Sequence, residues 1–276
     1  GETLVSSKEE YTFTVETSIT ITVKWTKESS QGLNYTLSTD KTYYIVSGIG
    51  TCTDTDIIIP NTYENLPVKE IGDAAFRSCH SLRSVAIGNS ITTIGNNAFF
   101  DCSSLTSITI PNNVINIKSD AFNCCRRLVE VINNSSLNII KGSSNYGYVG
   151  YYAINVKKGG DSEIVNKNNY LFYTYNNVNY LIGYCGIGTI LVLPTDYNGE
   201  NYIIYKYAFY NCSTLTSVTI SNNVISIADY AFSGCYRLVE VINNSSLEIT
   251  KGSDNDGSVG YHAFNVKKGG MTEIVS

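Results

Sequence analysis

The feature that most constrains this chain is a spacing. An Ala-Phe pair ends at Phe76, Phe99 and Phe122, each 23 residues after the last, and again at Phe209 and Phe232, also 23 apart. Three residues after each phenylalanine stands a cysteine (Cys79, Cys102, Cys125, Cys212, Cys235), and three after each cysteine a leucine (Leu82, Leu105, Leu128, Leu215, Leu238). A period of roughly 20 to 29 residues makes each unit too small to bury its own apolar face, so the units must stack. The chain is therefore expected to form one elongated solenoid, with residues of one repeat phase lined up as an internal column.

Within a unit, the run Leu105-Thr106-Ser107-Ile108-Thr109-Ile110 can turn Leu105, Ile108 and Ile110 inward from a short strand while Thr and Ser face out. Pro111 has no N–H to donate and ends that strand. Val114-Ile115-Asn116-Ile117 is a second short extended piece, and Ser119-Asp120-Ala121-Phe122 is predicted to turn back through a brief helical segment. Stacked coils of this kind make parallel sheets, with each phenylalanine filling the interior where the chain reverses. The five in-phase cysteines are expected to be reduced and structural, because free Cys fills small apolar slots and side chains pointing the same way fit a disulfide poorly. Cys52, Cys124 and Cys185 fall outside the phase, and nothing pairs them.

The units are organised as two copies of a larger module. Alternating runs Tyr35–Leu37 and Tyr43–Val46 flank Ser38-Thr39-Asp40-Lys41, and Tyr170–Tyr175 and Tyr180–Tyr184 flank Asn176-Asn177, so each copy opens with a β-hairpin. Both hairpins lead into Gly-Ile-Gly-Thr, at 48–51 and 186–189, then into an apolar strand ending in Pro60 or Pro194. Residues 127–165 align with 237–275 at a constant offset of 110, without a gap, and differ at only nine of 39 positions. Here the period lengthens: Ala153-Ile154 and Ala263-Phe264 end 32 residues after Phe122 and Phe232, and are taken as the next Ala-Phe pair, with Phe264 a further interior anchor. The expected layout is an N-terminal β segment or cap at 1–33, a first module at 34–168 and a second at 169–276. The second copy stops at a module boundary, from which a longer natural protein is expected.

Composition narrows the function. A net charge of -5 with a charged fraction of only 16% leaves a neutral, hydrogen-bonding surface, opposed to the basic stripe that nucleic-acid binding needs. No apolar run approaches the ~18 residues of a membrane span. Only His80 and His262 could serve as a base; His80 follows Cys79, but its equivalents Ser103, Arg126, Ser213 and Tyr236 mark an outward, variable position without a third orienting group, so no catalytic residue is assigned. Ser253-Asp254-Asn255-Asp256-Gly257 has the acid density of a calcium loop but lacks the Glu that should follow, so neither metal nor cofactor is expected. Of 22 tyrosines, Tyr207 and Tyr230 are expected to pack between coils. Tyr146, Tyr148, Tyr151, Tyr152, Tyr170, Tyr173, Tyr175, Tyr180 and Tyr184 gather in the second hairpin and the long coil and form the candidate binding surface, unless the hairpin tyrosines pack on the solenoid.

Ile91-x-x-Ile94-Gly95-x-x-Ala98-Phe99-x-x-Cys102-x-x-Leu105-x-x-Ile108-x-Ile110-Pro111 closely resembles the BspA-type leucine-rich repeats of bacterial surface proteins. The resemblance covers roughly Gly48 to the C-terminus. It implies a β-rich, right-handed leucine-rich-repeat superhelix with short helical turns and inserted hairpins, secreted or held at the cell surface. The implied role is a non-enzymatic, monomeric array binding a protein or glycan of a host or neighbouring cell in adhesion; the alternative is a structural spacer of a larger surface protein. The family supplies no catalytic residues to carry over.

Overall fold

The computed structural model describes residues 10–15, 19–24 and 29–269, and over 29–269 the chain is a β-solenoid built on the 23-residue unit. Glu10–Val15 and Ile19–Lys24 pair antiparallel with each other. Ser30 already belongs to the first coil, since its N–H donates to Ile58 O (2.9 Å) and its hydroxyl accepts from Ile58 N (3.1 Å).

The regular coils contribute one strand to each of two parallel stacks, and the long coils that open at Glu130 and Glu240 add a strand to the first stack alone. The Leu-x-x-Ile-x-Ile strands form one stack: Asp56–Ile59 on Ser84–Ile87, then Ser107–Ile110, Glu130–Asn133 and Asn155–Lys157. In the second copy the same stack runs Ile190–Val192, Ser217–Ile220, Glu240–Asn243, Asn265–Lys268. The other stack pairs Tyr44–Gly48, Leu66–Ile71, Thr93–Ile94 and Asn116–Ile117, and later Val178–Tyr184, Tyr202–Ile204 and Val224–Ile227. Both predicted hairpins are present, Asn34–Leu37 with Tyr44–Gly48 and Tyr170–Tyr175 with Val178–Tyr184. Asn176 (φ 50°) and Asn177 (φ 60°) are both left-handed, as a two-residue hairpin turn requires.

The third side of each coil is a hydrogen-bonded turn in place of the predicted helical segment. The residue two before and the residue two after each phenylalanine have positive φ: Ala74 and Ser78, Asn97 and Asp101, Asp120 and Cys124, Tyr207 and Asn211, Tyr230 and Gly234. This alternation splits the backbone donors. In the first such turn, Ala75, Arg77 and Cys79 donate within the coil, three residues back, while Ala74, Phe76 and Ser78 donate across to Asn96, Ala98 and Phe100 of the next coil. A helix would spend every N–H inside the coil and leave the stacking edge unpaired. Among the described residues the only helical element is the single 3-10 turn Asp256–Ser258.

Side chains of equal phase stack as columns. Phe76, Phe99 and Phe122 lie ring over ring at 5.2 and 5.1 Å, and Phe209 over Phe232 at 4.6 Å, all buried. The cysteine column runs beside them. Cys102, Cys125 and Cys235 are buried, Cys79 and Cys212 partly so, and the thiols of Cys102, Cys125 and Cys235 donate to the carbonyls of Phe76, Phe99 and Phe209 in the preceding coil (3.1, 3.0 and 3.1 Å).

The long coil has a different register from the one the sequence suggested. Ile154 N donates to Val129 O, just as Val129 N donates to Thr106 O, and Glu130 pairs with Asn155. Ala153 therefore occupies the slot of Leu105 and Leu128, and Ile154 is the outward residue beside it. Gly147 takes the place of the alanine in the Ala-Phe pair, accepting from Phe122 N as Ala121 accepts from Phe99 N. Phe264, at the phase of Ile154, is thus no interior anchor, and it is 78% exposed. Periodicity misled here because Ala-Ile and Ala-Phe look alike in sequence, whereas the strand ladder fixes which residue faces in.

Candidate functional site: the junction between the two copies

The hairpin that opens the second copy has two apolar faces. Tyr170, Phe172 and Leu181 enter the core of their own module. Tyr173 and Ile182 point the other way and form a separate small core with Val129 and Ile154 of the first copy, with Leu171, Tyr175, Tyr180 and Tyr205 packed around them. Alternation along a strand requires this: residues one apart leave on opposite faces, and both faces are apolar because both are covered. The edge strand Val165–Lys167 completes the sheet beside Tyr170–Tyr175.

Polar contacts lock the same junction. Arg127 is buried and donates from Nε to Tyr207 O (3.0 Å) and from Nη2 to Tyr210 O (3.2 Å). Asn155 donates to the Tyr173 hydroxyl (3.1 Å). Beside these, within the first copy, the carboxylate of Glu130, wholly buried, meets Lys157 Nζ at 3.0 Å and accepts from the Ser162 hydroxyl at 2.6 Å.

At the rim of the junction the tyrosines form a continuous chain of rings. Tyr148 meets Tyr151 (5.3 Å), Tyr151 meets Tyr152 (4.9 Å), Tyr152 meets Tyr207 (6.0 Å), and Tyr207 stacks flat on Tyr230 (5.5 Å, 6°) and edge-on against Tyr210 (5.6 Å). The Arg126 guanidinium lies over Tyr210 at 4.9 Å and over Tyr207 at 5.6 Å. Of these, Arg126, Tyr151, Tyr152 and Tyr207, with Lys141, Tyr205 and Lys206, line a groove of about 410 Å³. Burial pushes the Tyr152 phenol up to about 12, so its hydroxyl stays protonated and available to donate. The groove carries cations on an otherwise acidic chain, with aromatic faces and edges beside them.

The nine candidate tyrosines are therefore divided. Tyr170 and Tyr173 are buried, and Tyr175, Tyr180 and Tyr184 are half-buried, holding the hairpin to both modules. Tyr151 is exposed, and Tyr148 and Tyr152 are half-buried at the groove, while Tyr146 packs on the core of the first copy. Tyr207 does pack between coils, against Tyr230, and it also lines the groove. Arg127, Lys141 and Tyr210 carry no mark of the groove in the sequence, and Arg126 stands out there only as an outward, variable position; the one available signal is that Arg126 becomes Tyr236 in the second copy while Arg127 is kept as Arg237.

The histidines sit apart from any such groove. His80 Nδ1 lies 3.0 Å from Asp101 O and 3.4 Å from Ser103 Oγ, and burial pushes the neighbouring Cys79 thiol up to about 11, opposite to a nucleophile's need. His262 contacts the rings of Tyr236 and Tyr261. Among the described residues no three His, Cys, Asp or Glu side chains gather as a metal site, and no helix is long and apolar enough to cross a membrane.

A family model described as the BspA type leucine rich repeat region matches six copies, over residues 50–179 and 200–254. No curated protein matches the chain. Among solved structures, a leucine-rich-repeat protein of T. pallidum is 24% identical, with 80% of this chain and 83% of that chain covered and a TM-score of 0.36. A leucine-rich cell surface protein of Faecalibacterium prausnitzii A2-165 is 17% identical over 96% of this chain and 97% of its own (TM-score 0.26). The pneumococcal vaccine antigen PcpA is 18% identical over 87% of this chain and 61% of its own (TM-score 0.31). At these scores the neighbours carry no argument about function, and the assignment rests on the repeat match.

Proposed function

The chain belongs to the BspA-type leucine-rich-repeat family, and from that premise we propose that it is a non-catalytic interaction module outside the cell, with the junction groove as its contact surface. The observation that carries this reading is the lining of the groove: Tyr151, Tyr152 and Tyr207 beside Arg126, Lys141 and Lys206. Tyrosine and arginine give large contact area at small entropic cost and are enriched where proteins bind one another. Cations flanked by aromatic rings suit a partner segment rich in carboxylates, either an acidic stretch of a protein on another cell or a carboxylated glycan whose rings stack on tyrosine. Adhesion is the setting in which the family implies such a contact.

The test is binding of the purified chain to arrays of acidic peptides and of carboxylated glycans, against the Tyr151→Ala/Tyr207→Ala double variant and Arg126→Ala. Specific binding that these variants weaken at least about tenfold, a loss of about 1.4 kcal/mol, supports the groove. Adhesion of whole cells that is indifferent to the same substitutions favours the second reading, a spacer that holds another domain away from the cell.

A further inference from the structure

The two copies allow one surface to be compared with its own duplicate. In the first copy, Val129 and Ile154 are 0% and 3% exposed because the Tyr170–Tyr184 hairpin covers them; their counterparts Val239 and Phe264 are 48% and 78% exposed. Arg127 is buried on the carbonyls of Tyr207 and Tyr210, while Arg237 is exposed with no partner among the described residues. Asn155 holds a tyrosine hydroxyl, and the same asparagine recurs as Asn265. The chemistry of a module junction is thus repeated in the second copy, and among the described residues no hairpin covers it there.

We propose that this face, formed by Arg237, Val239, Glu240, Phe264 and Asn265, is the docking surface for a further module of the same repeat type, entering through a hairpin like Tyr170–Tyr184. The occupant is defined by what covers the first copy: a β-hairpin with tyrosine and isoleucine on one face, a tyrosine hydroxyl for the asparagine, and backbone carbonyls for the arginine. A second copy of this chain stacked head to tail does not meet that description. Registering the two hairpins by their pairing to the next strand (Val46 with Ile71, Leu181 with Ile204) places Thr36 and Ser47 where the second hairpin has Tyr173 and Ile182. Both are polar and exposed, so the first hairpin would set hydroxyls on Val239 and Phe264.

The test extends the protein by its own period, appending a copy of residues 167–276 after Ser276. The expected result is that the added module melts together with the rest in urea. Val239→Asp or Arg237→Ala should then split off a separate transition for it, while leaving the melt of the 276-residue chain unchanged. Val129→Asp in the parent chain shows what loss of this junction looks like, and folding of the short chain carrying each substitution separates a lost contact from a failed fold. An added module that melts independently even without substitutions overturns the proposal. So does concentration-dependent dimerisation of the 276-residue chain that Val239→Asp abolishes, since the occupant would then be a second copy.

Discussion

Glu130 and Lys157 are 3.0 Å apart with the carboxylate wholly buried, whereas Glu240 and Lys267, at the same phase one module later, are 3.7 Å apart and both about a third exposed. Over the first pair lie Ser162 and Glu163, whose hydroxyl and N–H donate to Glu130. Removing one partner of a buried pair strands the other's charge. Lys157→Met is expected to destabilise by about 3–5 kcal/mol, and Lys267→Met by under about 1 kcal/mol. Urea unfolding followed by circular dichroism measures both, and equal losses would contradict the assignment. Burial pulls the Lys157 pKa down, but hydrogen bonds to Glu163 and Glu130 outweigh it and hold it above the ordinary lysine value of 10.5. Because the folded value is the higher one, this contribution is complete below pH 10.5 and fades as pH rises through the folded pKa.

Phe99 lies between Phe76 and Phe122 with a coil on each side and no exposure. Neighbouring coils are held on both faces and relax poorly into a cavity, so Phe99→Ala is expected to cost about 3–5 kcal/mol. A denaturant midpoint shift worth less than about 1 kcal/mol would refute the interior column.

The left-handed turn positions offer a test with opposite signs. Ala74 has φ 55° and bears a Cβ, whereas Gly234 has φ 80° and a Cβ added there would sit 2.1 Å from Asn211 Oδ1. Ala74→Gly is expected to stabilise by about 0.5–1 kcal/mol. Gly234→Ala adds a clash to the backbone cost and should destabilise by more than about 1 kcal/mol. Thermal melts of the two variants should therefore move in opposite directions.

None of the eight cysteines is in a disulfide, but their thiols are not alike. Contact with the Cys125 thiol and burial push Cys102 up, while contact with the Cys235 thiol, aided by the Arg127 guanidinium, pulls Cys212 down. The reactive species is the thiolate, so Cys212 should alkylate faster than Cys79 at pH 7 and slow as the pH is lowered. Arg127→Met should slow it at pH 7. Peptide mapping after brief iodoacetamide treatment reads each site, and equal rates at Cys79 and Cys212 would count against the contact.

The coil was legible in the sequence because a stacked phase repeats its chemistry: Phe99, Cys102, Leu105, Ile108 and Ile110 announce an inward side wherever they recur, and Asn176-Asn177 announces a hairpin. Legibility failed where the period broke. In the long coil the choice between Ala153 as the leucine slot or as the alanine of an Ala-Phe pair depends on the ladder from Val129 to Ile154, a contact across 25 residues that neither segment carries alone. The turn is not legible because Ser119–Phe122 has no local mark of alternating φ; the demand comes from the next coil, whose carbonyls need donors.

What the sequence determined by itself is the solenoid: period, inward residues, paired strands and the duplication at an offset of 110. What only the tertiary structure decided is which duplicated residues are covered. Val129 and Val239 stand in nearly identical stretches, yet one is buried and the other half exposed. The reason is physical: local pattern fixes the direction a side chain leaves the backbone, while burial depends on what lies in that direction, and for the outer face of a solenoid that is the neighbouring module.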